Sequence, residues 1–224
     1  MNATRMKVIG IVSMTIDHIG YFLFPQMTVL RIIGRLAYPI FAYMIAEGCR
    51  YTRNKVRYFC TVFAIACVCS AATYFAEGSL HQSIFTTFSC AMILIFILTA
   101  VKEADERAGK IFWSVCTVVF VILYFAVFQL RMIPGFETDY GFLGIITPVL
   151  VCLGRSRAEK LSGLTIGLCL ISAELGTVQF YSLAAVILLY FYDGKRGNRS
   201  LKWAFYAYYP LHIAVLYGVS QIVG

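Results

Sequence analysis

What most constrains this chain is the spacing of its apolar stretches. Nine segments, at residues 8–24, 28–49, 58–76, 83–101, 111–130, 140–154, 161–176, 178–192 and 203–222, follow one another with only short polar gaps. A bilayer core is crossed by a helix of about 20 apolar residues, within a range of roughly 17–25. Most of the nine reach that length, and 140–154, 161–176 and 178–192 are the short ones. Composition agrees: hydrophobic residues make up 60% of the 224 and charged residues only 13%, too few to clothe a surface facing water. So much apolar material also excludes disorder. The expected fold is all-α, a polytopic integral membrane helical bundle of about nine transmembrane helices forming one domain over residues 1–224.

The basic residues give that bundle an orientation. Arg5 and Lys7, then Arg50, Arg53, Lys55 and Arg57, then Lys102, Arg107 and Lys110 fall in alternate gaps, which assigns them to one side. Arg155, Arg157 and Lys160, followed by Lys195, Arg196, Arg199 and Lys202, continue the same side. Only Arg31, Arg35 and Arg131 fall on the other. Because Lys and Arg gather in cytoplasmic loops, the expectation is an N-terminus in the cytoplasm and a C-terminus outside. The net charge of +8 is spread over these loops rather than gathered in a patch, so nucleic acid is not an expected partner. Arg5 and Lys7 before an apolar run resemble a signal peptide. Asp17 and His18 interrupt that run and no small-x-small cleavage site follows, so it reads as an uncleaved first helix. The eight cysteines lie in or beside apolar segments, without C-x-x-C pairs or zinc spacing. They read as small buried hydrophobes, and neither disulfides nor a metal site is expected.

Ionisable groups inside membrane helices are costly and mark candidate functional sites. They are Asp17 and His18 in the first segment, Arg31, Arg35 and Glu47 in the second, Glu174 at the end of the seventh and His212 in the ninth. His81, the remaining histidine, falls in an outer loop. Lys7 and His18 are eleven residues apart, near three helical turns, so they share a face about 16 Å apart. Arg31 and Arg35, at i and i+4, share a face near the start of the second segment, within reach of His18 across a short loop. A histidine deep in the bilayer beside guanidinium donors has the parts for general-base chemistry on a polarised carbonyl. The same residues also make a structural network, with Asp17 neutralising Arg31 or Arg35. Both readings stand at this point.

Adjacent helix positions point about 100° apart, so Asp17 cannot orient the His18 ring beside it. In Tyr208-Tyr209-Pro210-Leu211-His212, proline frees a backbone carbonyl within the ninth segment. His212 then lines the same cavity as His18 or bonds that carbonyl. The basic run Arg50–Arg57 suits a polyphosphorylated ligand such as coenzyme A through Arg50, Arg53 and Arg57, or it only sets topology. Glu137, Asp139 and Tyr140 form an acidic outer patch able to attract a cationic acceptor, or a solvated loop.

These motifs resemble a known family. Lys7…His18 with Asp-His-Ile-Gly at 17–20 is similar to the TraX family of conjugal-transfer membrane proteins. So are Leu30-Arg-Ile-Ile-Gly-Arg-Leu-Ala-Tyr-Pro-Ile-Phe-Ala-Tyr-Met-Ile-Ala-Glu-Gly48 and Tyr51-Thr-Arg-Asn54. Phe191-Tyr-Asp-Gly-Lys-Arg-Gly197 and Tyr208-Tyr-Pro-Leu-His212 complete a likeness running from end to end. The family resembles a branch of the transmembrane acyltransferases, beside the heparan-glucosaminide acetyltransferases and the O-acyltransferases, in which Arg/Lys-x10-His marks the active site. The resemblance implies a bacterial inner-membrane, multi-pass acetyltransferase. Its donor substrate would be cytosolic acetyl-CoA, and its acceptor an amine or hydroxyl of a peptide (a pilin N-terminus among them) or a glycan.

By the same resemblance His18 is the catalytic histidine, Lys7 its basic companion and Arg35 the basic group near the donor; Asp17, read from its own place in the membrane, joins the catalytic set. Lys7, Arg31, Arg50, Arg53 and Arg57 would hold the donor, and Glu137, Asp139, Tyr140 and His212 the acceptor. An ion-coupled transporter and a non-catalytic membrane assembly factor are the alternatives. A transporter is expected to show repeats or matched broken helices, and none stands out in the sequence.

Overall fold

The computed structural model describes residues 1–130, 133–195, 197 and 202–223, and it is helical throughout its regular elements. Arg131, Arg196 and Arg199 of the charge pattern lie outside the described residues. In chain order the helices are α1 (Ala3–Phe22), α2 (Thr28–Gly34), α3 (Ala37–Tyr51), α4 (Lys55–Glu77) and α5 (Ile84–Glu103). Then come α6 (Arg107–Tyr124), α7 (Gly141–Leu153), α8 (Arg157–Leu175), α9 (Ala184–Tyr190) and α10 (Lys202–Val223). A π-helical turn, Phe125–Gln129, closes α6, and a 3₁₀ segment, Thr177–Leu183, leads into α9. Each of the nine apolar segments thus coincides with helix.

Among the described residues, four stretches are long and apolar enough to cross a membrane: Thr28–Tyr51, Lys55–Phe75, Ile84–Glu103 and Arg107–Phe128. Gly141–Leu153 and Thr177–Tyr190 are apolar but shorter. Outward-facing residues of α6 include Ile111, Phe112, Val115, Val118, Val119, Ile122 and Leu123. So broad an apolar surface suits contact with lipid and not with water. The protein is a helical membrane protein.

The second apolar segment is not the single helix expected over 28–49. It breaks at Arg35–Leu36 into α2 and α3. Pro39 sits in the first turn of α3, where its missing N–H costs nothing. Continued backward, an α-helix would drive its ring against the carbonyl of residue 35. The Ser13 hydroxyl donates at 2.6 Å to the Ile33 carbonyl, which also accepts from the Leu36 N–H at 3.3 Å, and lies 3.3 Å from the Gly34 carbonyl.

Contacts divide the chain into two compact units, Met1–Met44 with Gly154–Gly224, and Ile45–Leu153. In the first, α2 and the start of α3 run antiparallel to α1, with Gly20 against Leu30, Gly34 against Asp17 and Gly10 against Phe41. Gly34 is required there, because a Cβ would overlap the Asp17 carboxylate. α10 runs in the same direction as α1: Lys7 faces Phe205, Thr15 faces Tyr208 and His18 faces His212. The segment after α9 ties down the start of α1, through Ala3 N–H to the Lys195 carbonyl (3.0 Å) and Asp193 N–H to the Met1 carbonyl (2.9 Å).

α8 begins with a reciprocal cap. Ser156 accepts from the Glu159 N–H at 3.1 Å, while the Glu159 carboxylate accepts from the Ser156 hydroxyl and the Arg155 N–H, both at 2.9 Å. It ends at Gly176, whose φ of 92° few other residues adopt.

The second unit is built around α5, whose Phe88, Ala91, Met92, Leu94 and Ile95 are buried among α4, α6 and α7. Asn54 caps α4 by accepting from the Arg57 N–H at 2.8 Å. The cysteines depart in part from expectation: Cys49 and Cys69 are buried, whereas Cys60, Cys67 and Cys169 are exposed. The last three lie on helix faces turned outward, where a thiol meets lipid as readily as core. Cys67 and Cys69 do face opposite ways, as two-residue spacing dictates.

Candidate functional site

The polar groups of α1, α2, α10 and the 3₁₀ segment meet inside the first unit. Asp17 is the hub. Its carboxylate accepts from Arg31 Nη1 at 2.7 Å and from Arg35 Nη2 at 2.9 Å. Arg31 also donates to the Asp17 carbonyl (3.2 Å), and Arg35 Nε to the Arg31 carbonyl (3.2 Å). Side-chain exposures of 17% for Asp17 and 15% for Arg35 put these charges largely out of solvent. Two guanidiniums on one carboxylate leave a net positive charge in a low-dielectric setting. Arg31 further covers the Tyr21 ring at 5.4 Å. The structural pairing expected of Asp17 is present, and with both arginines at once.

His18 faces the other way from Asp17, toward α10. Its Nδ1 lies 2.7 Å from Nε2 of His212, with the ring centroids 4.9 Å apart. His212 Nδ1 lies 3.0 Å from the Tyr208 carbonyl, which can only accept. With both rings neutral, one chain of donors follows. His212 carries its proton on Nδ1, so its Nε2 accepts; His18 therefore carries its proton on Nδ1, and its Nε2 keeps a lone pair. Tyr209 and Phe22 stand edge-on or tilted to the His18 ring at 6.2 and 6.3 Å, and Tyr208 stacks on His212 at 5.0 Å. Thr15 meets the Tyr208 hydroxyl at 2.8 Å.

His212 thus meets His18 and bonds a backbone carbonyl, though not the one that Pro210 frees. The carbonyl is that of residue 208. The one deprived of its partner by Pro210 belongs to residue 206, four positions back.

Gln179 completes the cluster and was not among the expected residues. It is 3% exposed, and its Oε1 accepts from Arg35 Nη1 at 3.2 Å. Attention to ionisable groups passes over an amide. The available signal was a lone carboxamide in an apolar segment immediately after Gly176.

Of the other expected residues, Lys7 lies on α1 with its ammonium 6.0 Å from the Phe205 ring. Arg50 ends α3, and Arg53 and Arg57 flank the cap of α4; all three are exposed and belong to the second unit. Their neighbour Lys55 lies 3.9 Å from Glu103. Glu137, Asp139 and Tyr140 form a half-buried turn of the second unit, held by its own structure. There the Gln82 N–H donates to the Glu137 carbonyl (2.7 Å) and the Thr87 hydroxyl to the Asp139 carbonyl (2.8 Å). The Asp139 carboxylate lies 3.8 Å from His81, and Tyr140 adopts a φ of 60°. The structure thus brings together His18, Asp17, Arg31, Arg35 and His212 in one unit. It places the arginine loop and the acidic turn in the other.

A family model described as TraX protein matches residues 2–220. The "Probable fimbrial assembly protein FimC, serogroup H1" of Dichelobacter nodosus is 24% identical over 238 aligned positions, covering 96% of this chain and 94% of that protein. An uncharacterized protein of Rickettsia prowazekii is 50% identical over 52 positions, 23% of this chain and 21% of that protein. No solved structure matches.

Proposed function

We propose a function from one premise: the chain belongs to the TraX family. The reading is a membrane-embedded acyltransferase that moves an acetyl group from cytosolic acetyl-CoA to an amine or hydroxyl at the membrane, on a peptide N-terminus or a glycan. The observation that carries it is the pair of histidines 2.7 Å apart, 194 residues distant in sequence. The donor chain from His18 through His212 to the Tyr208 carbonyl leaves His18 Nε2 as the basic nitrogen. A fixed tautomer with a free basic nitrogen is what a general base or an acyl-carrying nucleophile needs. Asp17, Arg31 and Arg35 then hold positive charge where a carbonyl oxygen gains electrons. The exposed arginines of the α3–α4 loop suit the phosphates of the donor.

Nine crossings, with the N-terminus in and the C-terminus out in the inner membrane, belong to the same proposal. The parallel course of α1 and α10 supports it, because a first and a ninth span run the same way. A reporter active only outside the cytoplasm, fused after residue 224, should give signal, and one fused near Asn54 should be silent. The reverse pattern would overturn the orientation.

The test of the activity is release of CoA from acetyl-CoA by the purified protein, offered a short peptide with a free N-terminal amine or an amino sugar. A second reading, a membrane factor for fimbrial assembly without catalysis, has in its favour the printed name of the Dichelobacter relative. Thermal stabilisation by acetyl-CoA separates the two, since only a protein that binds the donor gains stability from it.

A further inference from the structure

We propose that the side-chain amide of Gln179 is the hydrogen-bond donor that receives the acyl carbonyl oxygen of the donor thioester, beside the Arg35 guanidinium. The inference rests on the acyl-transfer reading above and identifies where that reaction's carbonyl would lie. Gln179 belongs to the 3₁₀ segment Thr177–Leu183 and is 3% exposed. Its Oε1 accepts from Arg35 Nη1 at 3.2 Å. A guanidinium has no acceptor, so the orientation of the carboxamide follows from chemistry: oxygen toward Arg35, NH₂ turned away from it. That NH₂ is buried and has no hydrogen-bond partner among the described residues.

The same holds for two hydroxyls at the same bend of the chain. Ser182 lies three residues beyond Gln179, a spacing that aligns side chains on a 3₁₀ helix. Ser172 lies one turn before the end of α8, and its carbonyl accepts from the Gly176 N–H at 3.0 Å. Both hydroxyls are buried without a partner among the described residues.

The character of the missing partner follows from what these groups can do. An amide NH₂ only donates, and so does the guanidinium beside it. The group that the unpartnered NH₂ is placed to meet is therefore an acceptor, which excludes a cation or an ammonium and leaves an oxygen with lone pairs. Arg35 donates through Nε to the Arg31 carbonyl, through Nη1 to Gln179 and through Nη2 to Asp17. Three of its five N–H groups are thus accounted for, one of them in fixing the Gln179 carboxamide.

In the transfer itself, the acceptor's nitrogen or oxygen forms a bond to the carbonyl carbon, and the π pair moves onto the carbonyl oxygen. That oxyanion is the acceptor that the Gln179 NH₂ would meet. Its collapse re-forms the C=O bond and breaks the C–S bond, so the pair leaves on the CoA thiolate. The proton lost by the acceptor goes to His18 Nε2 and then to the thiolate sulfur. Donors fixed in advance at the oxyanion position act without reorganisation at the moment of reaction.

The test needs no acceptor. Acetyl-CoA has the carbonyl and CoA lacks it, so the ratio of their affinities reads the proposed bond. Titration calorimetry on the full chain in detergent would compare wild type with Gln179→Glu. That variant keeps an oxygen for Arg35 and the side-chain length but loses the NH₂ donor. Wild type should prefer acetyl-CoA over CoA by about two- to tenfold, the range of one net hydrogen bond. Gln179→Glu should bring that ratio to about one with little change in CoA affinity. Should Gln179→Glu fail to fold, Gln179→Met, of similar volume, takes its place. A wild type that binds neither ligand overturns the acyl-CoA reading itself. A wild type without preference, or a variant that keeps it, overturns the Gln179 assignment alone and leaves the amide to a buried water.

Discussion

Two sets of charged side chains, one in each unit, contrast sharply. In the first unit Asp17 meets two guanidiniums at 2.7 and 2.9 Å with little solvent exposure. In the second, His81 and Asp139 stand 3.8 Å apart and Lys55 and Glu103 3.9 Å apart, with side chains 38–69% exposed. Each set joins carboxylates to basic side chains, arginines in the first and a histidine and a lysine in the second. What differs is how much water surrounds them, and so how strongly each charge depends on its neighbours. Stranding a charge in the first set is costly, whereas the second set loses almost nothing when a partner is removed. The comparison teaches that a charged residue's place in a membrane protein is decided by the dielectric around it more than by its presence in an apolar segment.

The sharpest break of that comparison is His18→Ala. General-base assistance is typically worth about 10²–10⁴-fold in rate. The variant should bind acetyl-CoA like wild type while CoA release falls at least about a hundredfold. Near-native turnover would return His18 to a structural role. If the alanine variant fails to insert, His18→Gln serves in its place.

Next in size is Asp17→Ala, which leaves Arg31 and Arg35 facing each other without their shared carboxylate. It should destabilise the fold by about 3 kcal/mol, the low end for removing one partner of a buried ion pair. His81→Ala, removing a partner in the exposed set, should change stability by less than about 0.5 kcal/mol. Equal losses in thermal unfolding would erase the distinction between the two sets.

A smaller effect is expected from the exposed arginines. Neutralising Arg50, Arg53 and Arg57 together should raise the apparent KM for acetyl-CoA several-fold and leave the protein inserted. An unchanged KM would reduce that loop to a signal of topology.

The smallest effect concerns pH. The Arg155 N–H, then the Ser156 hydroxyl, hold the Glu159 carboxyl below its usual range. A depressed carboxyl contributes stability above the ordinary carboxylate range and loses it as pH falls through its folded value. Glu159→Gln should therefore lower the unfolding temperature slightly at pH 7 and make no difference in strong acid. A gap that persists in acid would assign the cap's contribution to shape instead of charge.

Much of this molecule was legible in its sequence because the relevant physics is local. Helix positions follow from runs of apolar residues, so each of the nine segments proved helical, and the cost of burying charge singled out Asp17, His18, Arg31, Arg35 and His212. The break at Arg35–Leu36 was within reach too, because Pro39 acts on the carbonyl four residues before it. Packing decided the rest. That His18 turns to His212, that one carboxylate serves two arginines, and that Gln179 closes the cluster depend on contacts between residues 14 to 194 positions apart. Periodicity along one helix fixes which face a side chain occupies, but only the close approach of another helix supplies the partner that makes a buried polar group affordable.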